Sequence, residues 1–349
     1  MKDKQKIVVT GHDTNYIYPW MIMAKSFASS TKGDFKMIAG NMNGGLKKND
    51  LQFMRDYAEH LGINLEIMDL TMPPDLVKQL GRSMNGYFSL LFLDALKEDF
   101  VWLDSDLILN PGWEKIFEAG NAKNYKDSTI IRAVPDRKVT VEQLKKRKSN
   151  GAYLRNSDNY FNCGLMWLSP KLWKKLKFNL AWQDVIRQGP KLGLEFIDQD
   201  ILNYLLCENV HILPKKYNYM PGDFHFSSPL ITHFAGYPKP WVMSSKAKAM
   251  YFMREAINWD RPQFRPSREG RFKNEYLDFW KHEEEMLNEL REKQPKLYVE
   301  AIRRRKAITI DLNFQEKLKY FFVRFVAIEF QNVFLRKRPT LTGFQKELW

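Results

Sequence analysis

In the N-terminal third of the chain, short β-branched and apolar runs alternate with longer stretches of helical character, and that alternation limits the fold most. Ile7-Val8-Val9-Thr10 is closed by Gly11, Phe35 to Ala39 by Gly40-Asn41, Leu65 to Met68 forms a third run, and Phe100 to Leu103 stops at Asp104. Between them lie helical stretches from Pro19 to Ser30, from Asp50 to Leu61 (Asn49 as N-cap, Gly62 as stop) and from Tyr87 to Leu96. Strands alternating with helices at this spacing predict an α/β domain with a mostly parallel sheet. Such sheets bind ligands beyond the carboxyl ends of their strands. Asp13 and Asp104 each follow a strand and stand where a ligand is expected.

Further on, the sequence predicts a strand over Gly164 to Leu168, a helix from Pro170, a helix over Gln199 to Cys207 and a strand over Val210 to Leu213. Lys138 to Asp158 reads as a polar, basic excursion near the site, and Trp259 to Pro266 as a linker. From Asn274 onward the pattern is mainly helical. The reading is a catalytic domain over residues 1–258 and a basic, aromatic C-terminal region over 259–349. The hydrophobic content of 44% supports a sizeable core and excludes disorder as the main state. With Cys163 and Cys207 alone, neither a disulfide framework nor a structural zinc site is supported.

Four patterns carry the chemistry: Asp104-Ser105-Asp106, Phe161 to Gly164, Asp198 to Asp200, and His233 to Gly236 leading into Lys239-Pro240-Trp241. Asp104 and Asp106 sit two apart at a strand end, where alternate residues of an extended chain share a face and address one cation. His233 follows the strand-like Leu230-Ile231-Thr232 and offers an imidazole. Carboxylates with an imidazole lean towards Mn²⁺ over Ca²⁺, with Mg²⁺ as a substitute. Lys239, held between Pro238 and Pro240, can meet a pyrophosphate oxygen, and Gly236 lets backbone approach it closely. Phe161-Asn162-Cys163-Gly164 and Asp198-Gln199-Asp200 add polar groups for a sugar. Each pattern alone is also what an ordinary strand end or solvated loop presents; it is the combination that points to use of a nucleotide-sugar.

In this order the motifs resemble glycosyltransferase family 8, over about residues 5–245. Within that family the likeness is to bacterial lipopolysaccharide α-galactosyltransferases. The resemblance implies a GT-A (Rossmann-like nucleotide-diphospho-sugar transferase) fold with a mainly helical C-terminal extension, and a retaining enzyme using a UDP-sugar and Mn²⁺. It implies Asp104, Asp106 and His233 as metal ligands, and Gly236 and Lys239 in the diphosphate loop. It implies Asp13, Asn15, Tyr16 and Ser105 as nucleotide contacts, with Tyr16 stacking on the base. Asn162, Asp198 and Gln199 would face the donor sugar, and Asp136 would make a further sugar or acceptor contact. Asp200, in the same motif as Asp198 and Gln199, would be a catalytic carboxylate near the reacting centre. Retention is read as attack on the face the nucleotide leaves, with a covalent intermediate as the alternative. The chain departs from the family at Ser89, where an arginine is usual (Arg82 is nearby), and at Thr10-Gly11-His12, where small residues are common.

The expected donor is UDP-galactose or UDP-glucose and the acceptor a glycan or glycolipid. The net charge is +14, and half of it lies from Lys296 onward, where twelve Lys/Arg stand against five Asp/Glu. Aromatic residues from Phe314 to Phe334 recur there at helical spacing, flanked by Arg303–Lys306 and Arg336–Arg338. This suits either an interfacial helix on an anionic membrane or a helix packed on the domain. No stretch reaches the roughly 18 apolar residues of a span or resembles a leader. The expectation is a cytoplasmic protein, peripheral on the inner face of the membrane. The alternatives are a nucleotidyltransferase and a non-catalytic UDP-sugar- or membrane-binding protein. No nucleic-acid recognition motif accompanies the charge.

Overall fold

The computed structural model describes residues 5–80, 86–118, 129–136, 160–192, 197–206, 208–221, 228–235, 239–242 and 273–309. Gly236, Arg82, Cys207, the Lys138–Asp158 excursion, the Trp259–Pro266 linker and the aromatic stripe from Phe314 lie outside the described residues.

The main sheet has seven strands in the order β3-β2-β1-β4-β7-β6-β8. They are β1 (Lys6–Gly11), β2 (Phe35–Met42), β3 (Leu65–Leu70), β4 (Phe100–Leu103), β6 (Ile131–Pro135), β7 (Phe161–Leu168) and β8 (Val210–Ile212). β1, β2, β3 and β4 run parallel, as the alternation predicts. β7 is antiparallel to both β4 and β6, so the sheet is mixed. Every residue of β4 and β7 is buried. Layers on both faces explain why these strands are apolar throughout and do not alternate.

The helices are α1 (Ile17–Ser30), α2 (Lys48–His60), α3 (Pro74–Leu80), α4 (Phe88–Ala95), α5 (Pro170–Lys175), α6 (Phe178–Leu192), α7 (Ile197–Leu206), α8 (Lys273–Lys293) and α9 (Pro295–Ile308). α2 starts before the expected cap: Asn49 lies inside its first turn, and Asp50 turns back to accept the Lys47 N–H at 3.1 Å. β7 begins at Phe161, so the Asn162 motif lies within the strand, where the sequence places it just before one.

A small second sheet pairs β5 (Leu107–Leu109) with β9 (Ile231–His233), antiparallel, with Leu107 opposite His233. β5 has no counterpart in the sequence reading. Three residues are too few for a periodicity to register.

The C-terminal helices share the main core. Tyr276, Phe279, Trp280, Met286, Leu290 and Leu297 pack with residues of α1. Each fully buried side chain of this kind contributes about 1.5–3 kcal/mol. Phe279 packs edge-on to Phe234 at 5.2 Å, and Trp280 Nε1 donates to the Pro240 carbonyl at 3.0 Å. Arg304 of α9 is buried and donates to Asp50 at 2.7 Å, while Thr14 donates to the other Asp50 oxygen at 3.0 Å. The hairpin of α8 and α9 thus braces both the segment after β1 and the segment after β9. Among the described residues no helix is long and apolar enough to cross a membrane.

Candidate active site

Two pairings assemble the site. The β4–β7 register sets Leu103 against Leu165, and the Asp104 N–H donates to the Gly164 carbonyl at 2.9 Å. The β5–β9 register sets His233 against Leu107, and the Phe234 N–H donates to the Asp106 carbonyl at 3.0 Å. One residue of the Asp pair is therefore tied to each strand, and the imidazole arrives between them.

Ligand atoms of Asp104, Asp106 and His233 all lie within 4.8 Å of one another. His233 Nε2 is 3.4 Å from Asp106 Oδ1 and 3.7 Å from Asp104 Oδ2. Lys239 Nζ pairs with Asp106 Oδ2 and donates to the Phe234 carbonyl at 2.9 Å. Burial and the neighbouring Asp106 push the Asp104 carboxyl up to about 7. Burial would also raise Asp106, but Lys239 and His233 outweigh it and hold that group well below the usual carboxylate range. Burial opposes the charge on Lys239, yet Asp106 raises its pKa overall, so it stays an ammonium. Two crowded carboxylates beside an imidazole form a donor set that fits a divalent cation, and one there would relieve the repulsion on Asp104.

The cavity at this point has a volume of about 350 Å³. Asp13, Tyr16, Ser105 and Lys239 line it together with Asn162, Asp198 and Gln199. Asp13 Oδ1 accepts the Asn15 and Tyr16 N–H groups at 2.8 and 3.2 Å and so builds the turn that presents Tyr16. Tyr16 is 39% exposed and meets Trp241 edge-on at 5.9 Å. Asn15 is exposed and does not line the cavity.

Gln199 is held on all sides. Its Oε1 accepts from Cys163 N–H at 3.2 Å and Asn162 Nδ2 at 3.1 Å; its Nε2 donates to Asp136 at 2.9 Å and to the Tyr160 hydroxyl at 3.1 Å. Asp136 stands behind Asn162 and Gln199 and does not line the cavity. Asp200 is 2% exposed and accepts the Tyr160 hydroxyl at 2.6 Å, also off the cavity wall. Ser89, fully buried in α4, does not line it either. Tyr160, Asn203 and Asn218, which hold the motif residues, carry no pattern in the sequence that would single them out. His12 faces the cavity, with its Nδ1 3.2 Å from Ser105 Oγ. Gly11 is required beneath it, because a Cβ there would lie 2.2 Å from the Phe88 ring.

Burial raises Asp198 from 3.8 to about 7, against the pull of nearby backbone N–H groups. Between those values the unfolded chain binds fewer protons than the folded one, so Asp198 lowers stability as pH rises through that window. Asp198→Asn is therefore expected to raise the melting temperature of the metal-free protein near pH 8 and leave it unchanged near pH 4. Equal melting temperatures of variant and wild type at both pH values would show that Asp198 ionises normally.

Comparison with known proteins agrees with this architecture. The model of glycosyl transferase family 8 matches residues 7–244. A lipopolysaccharide 1,2-glucosyltransferase of Escherichia coli is 25% identical over 218 residues, covering 56% of this chain and 61% of that protein. The glycosyltransferase GlyF of Streptococcus pneumoniae is 27% identical over 197 residues, 52% of this chain and 44% of its own length. The chain thus spans about half the length of these relatives. The galactosyltransferase LgtC, solved with donor and acceptor sugar analogs, superposes with a TM-score of 0.56 at 17% identity, over 76% of this chain and 99% of LgtC. GlyE of Streptococcus pneumoniae superposes at 0.51 with 18% identity, over 83% of this chain and 64% of GlyE. These likenesses show the GT-A fold, and with more than half the chain matched by its model, the protein belongs to glycosyl transferase family 8.

Proposed function

We propose that this chain is a retaining hexosyltransferase that moves galactose or glucose from a UDP-sugar to a glycan or glycolipid acceptor, with Mn²⁺ at Asp104, Asp106 and His233. The observation that carries this reading is the sharing of one cavity by that triad, a charged lysine and the pinned amides of Asn162 and Gln199. A bound divalent cation supplies positive charge to offset the diphosphate as it departs. Lys239 aims a second positive charge at the same oxygens. Tyr16 offers its exposed ring to the uracil, and Asp13 and Ser105, which line the same cavity, are further contacts for the nucleotide. Asn162 and Gln199 orient the sugar, and their own hydrogen bonds keep them from turning away.

With Asp200 behind Tyr160, attack on the face the nucleotide leaves is the favoured route. The acceptor oxygen bonds to the anomeric carbon, the carbon–oxygen bond to phosphate breaks, and the acceptor proton passes to the leaving phosphate oxygen. Gln199 covers the opposite face.

The two related proteins name different sugars, glucose in one and galactose in the other. The test is therefore hydrolysis of a panel of UDP-sugars by the full chain, with Mn²⁺ and with EDTA. Slow metal-dependent release of UDP from one sugar is expected. Failure of UDP itself to bind would overturn the reading. Lys239→Ala is expected to slow transfer more than it weakens UDP binding, and an unchanged turnover number would remove Lys239 from the diphosphate.

We further propose that the protein acts at the inner face of an anionic membrane, attached through the basic, aromatic residues after Thr309. Ending the chain after Thr309 keeps α8 and α9, which share the core, and is expected to abolish binding to anionic vesicles without loss of fold. Ending it at Arg265 would strip Phe279 and Trp280 from that core and confound the result. Continued vesicle binding by the chain ending at Thr309 would place the membrane affinity elsewhere.

A further inference from the structure

The geometry points to Asn218 as a positioning residue that fixes the tautomer of His233 and links the metal ligand to the sugar-facing amides; this rests on reading Asp104, Asp106 and His233 as a metal site. Asn218 lies in the segment between β8 and β9 and is 1% exposed. No motif includes it. Its Nδ2 donates to Asn162 Oδ1 at 2.9 Å, and its Oδ1 is 3.0 Å from His233 Nδ1.

The directions of the bonds from Asn162 through Asn218 to His233 follow from one backbone group. The Gly164 N–H can only donate, and it lies 2.9 Å from Asn162 Oδ1. That identifies the oxygen of Asn162, whose Nδ2 then faces two acceptors, Asp136 Oδ2 and Gln199 Oε1, both at 3.1 Å. Asn218 must present its NH₂ to that oxygen, since its own oxygen would meet a second acceptor there. Its carbonyl oxygen therefore faces His233 Nδ1, and an oxygen needs a proton between them. Nδ1 therefore carries a proton, and the lone pair of a neutral His233 falls on Nε2, the atom 3.4 Å from Asp106 Oδ1 and 3.7 Å from Asp104 Oδ2 that a metal would take. That is the tautomer a metal ligand needs, and an outer hydrogen bond of this kind fixes the orientation of the ring. The Gln199 amide is set in the same way, by the Cys163 N–H at 3.2 Å. His233, Asn218, Asn162 and Gln199 thus form one directed run of hydrogen bonds, each donating to the next, from the metal ligand to the sugar-facing amides.

The test begins with ¹⁵N-histidine NMR on the metal-free full chain. Six histidines are present, and His233→Gln identifies the relevant signal. A protonated Nδ1 on His233 is expected; a bare Nδ1 in the wild type would overturn the inference, with no variant needed. Mn²⁺ affinity is then measured by electron paramagnetic resonance. Asn218→Ala removes the acceptor and is expected to weaken Mn²⁺ by about tenfold to a hundredfold and to mix the tautomers. Asn218→Asp keeps an acceptor for Nδ1–H but loses the donor to Asn162. It is expected to bind Mn²⁺ close to wild type while turnover of the UDP-sugar falls. Equal loss of Mn²⁺ affinity in both variants, each folded by circular dichroism, would overturn the proposal. Absence of Mn²⁺ binding in the wild type would instead remove the metal-site reading, and the tautomer result would stand on its own.

Discussion

Asp106→Asn is expected to abolish metal-dependent release of UDP and to weaken Mn²⁺ by at least the roughly 100-fold at the upper end for outer-sphere changes. Asp106 is 5% exposed and is the carboxylate that stays ionised, because Lys239 and His233 both face it. Asparagine keeps its shape and removes its charge, so a hard anionic ligand is lost and no new bulk is added. The substitution also leaves the Lys239 ammonium without its carboxylate. Breaking a buried pair from one side costs about 3–5 kcal/mol, so folding is verified before affinity is compared. Mn²⁺ titration followed by electron paramagnetic resonance is the direct measurement. Wild-type turnover in a folded Asp106→Asn protein would take Asp106 out of the metal site and leave the triad without its best-placed member.

Gly164→Ala is expected to be nearly as damaging, although Gly164 has no side chain to offer the site. A Cβ at this position would fall 2.0 Å from His233 Cε1, 2.5 Å from Nδ1 and 2.7 Å from Nε2. The ring cannot remain, and it has little room to yield. Its backbone is paired with Leu107, and its Nδ1 side meets Asn218. Forced overpacking of a filled interior costs about 1–3 kcal/mol. The functional loss is expected to exceed the stability loss, because turning the ring takes Nε2 away from both carboxylates. Mn²⁺ affinity of Gly164→Ala should match that of His233→Ala. Wild-type affinity in Gly164→Ala would show that the ring has another position compatible with the metal. This close approach also gives the glycine of the Phe161-Asn162-Cys163-Gly164 motif a physical reason: it is the space the imidazole occupies.

Much of the frame is written locally. β4 matches the apolar run before Asp104, and α4 and α7 lie where helical periodicity puts them, because such patterns report burial of one segment against its surroundings. The second sheet was not legible, since β5 is a three-residue strand whose partner lies more than a hundred positions away. Asn15 and Asp136 are expected in the site from the family resemblance, and Asp200 from its place beside Gln199. Which of them faces the cavity depends on neighbours from other elements: Asn15 is exposed, and Asp136 and Asp200 stand behind Asn162 and Tyr160.

The sequence by itself determined the chemical types available: two carboxylates two apart at a strand end, an imidazole after a strand, a lysine between prolines, and an α/β frame to carry them. The tertiary structure alone decided that they meet. The β4–β7 and β5–β9 registers bring Asp104, Asp106 and His233 to within 4.8 Å, and Asn218 arrives with no motif to announce it. The reason is physical. Periodicity and propensity act over a few residues of chain, whereas strand register and the direction of a buried amide depend on partners distant in sequence and become fixed only when every polar group in the interior has found one.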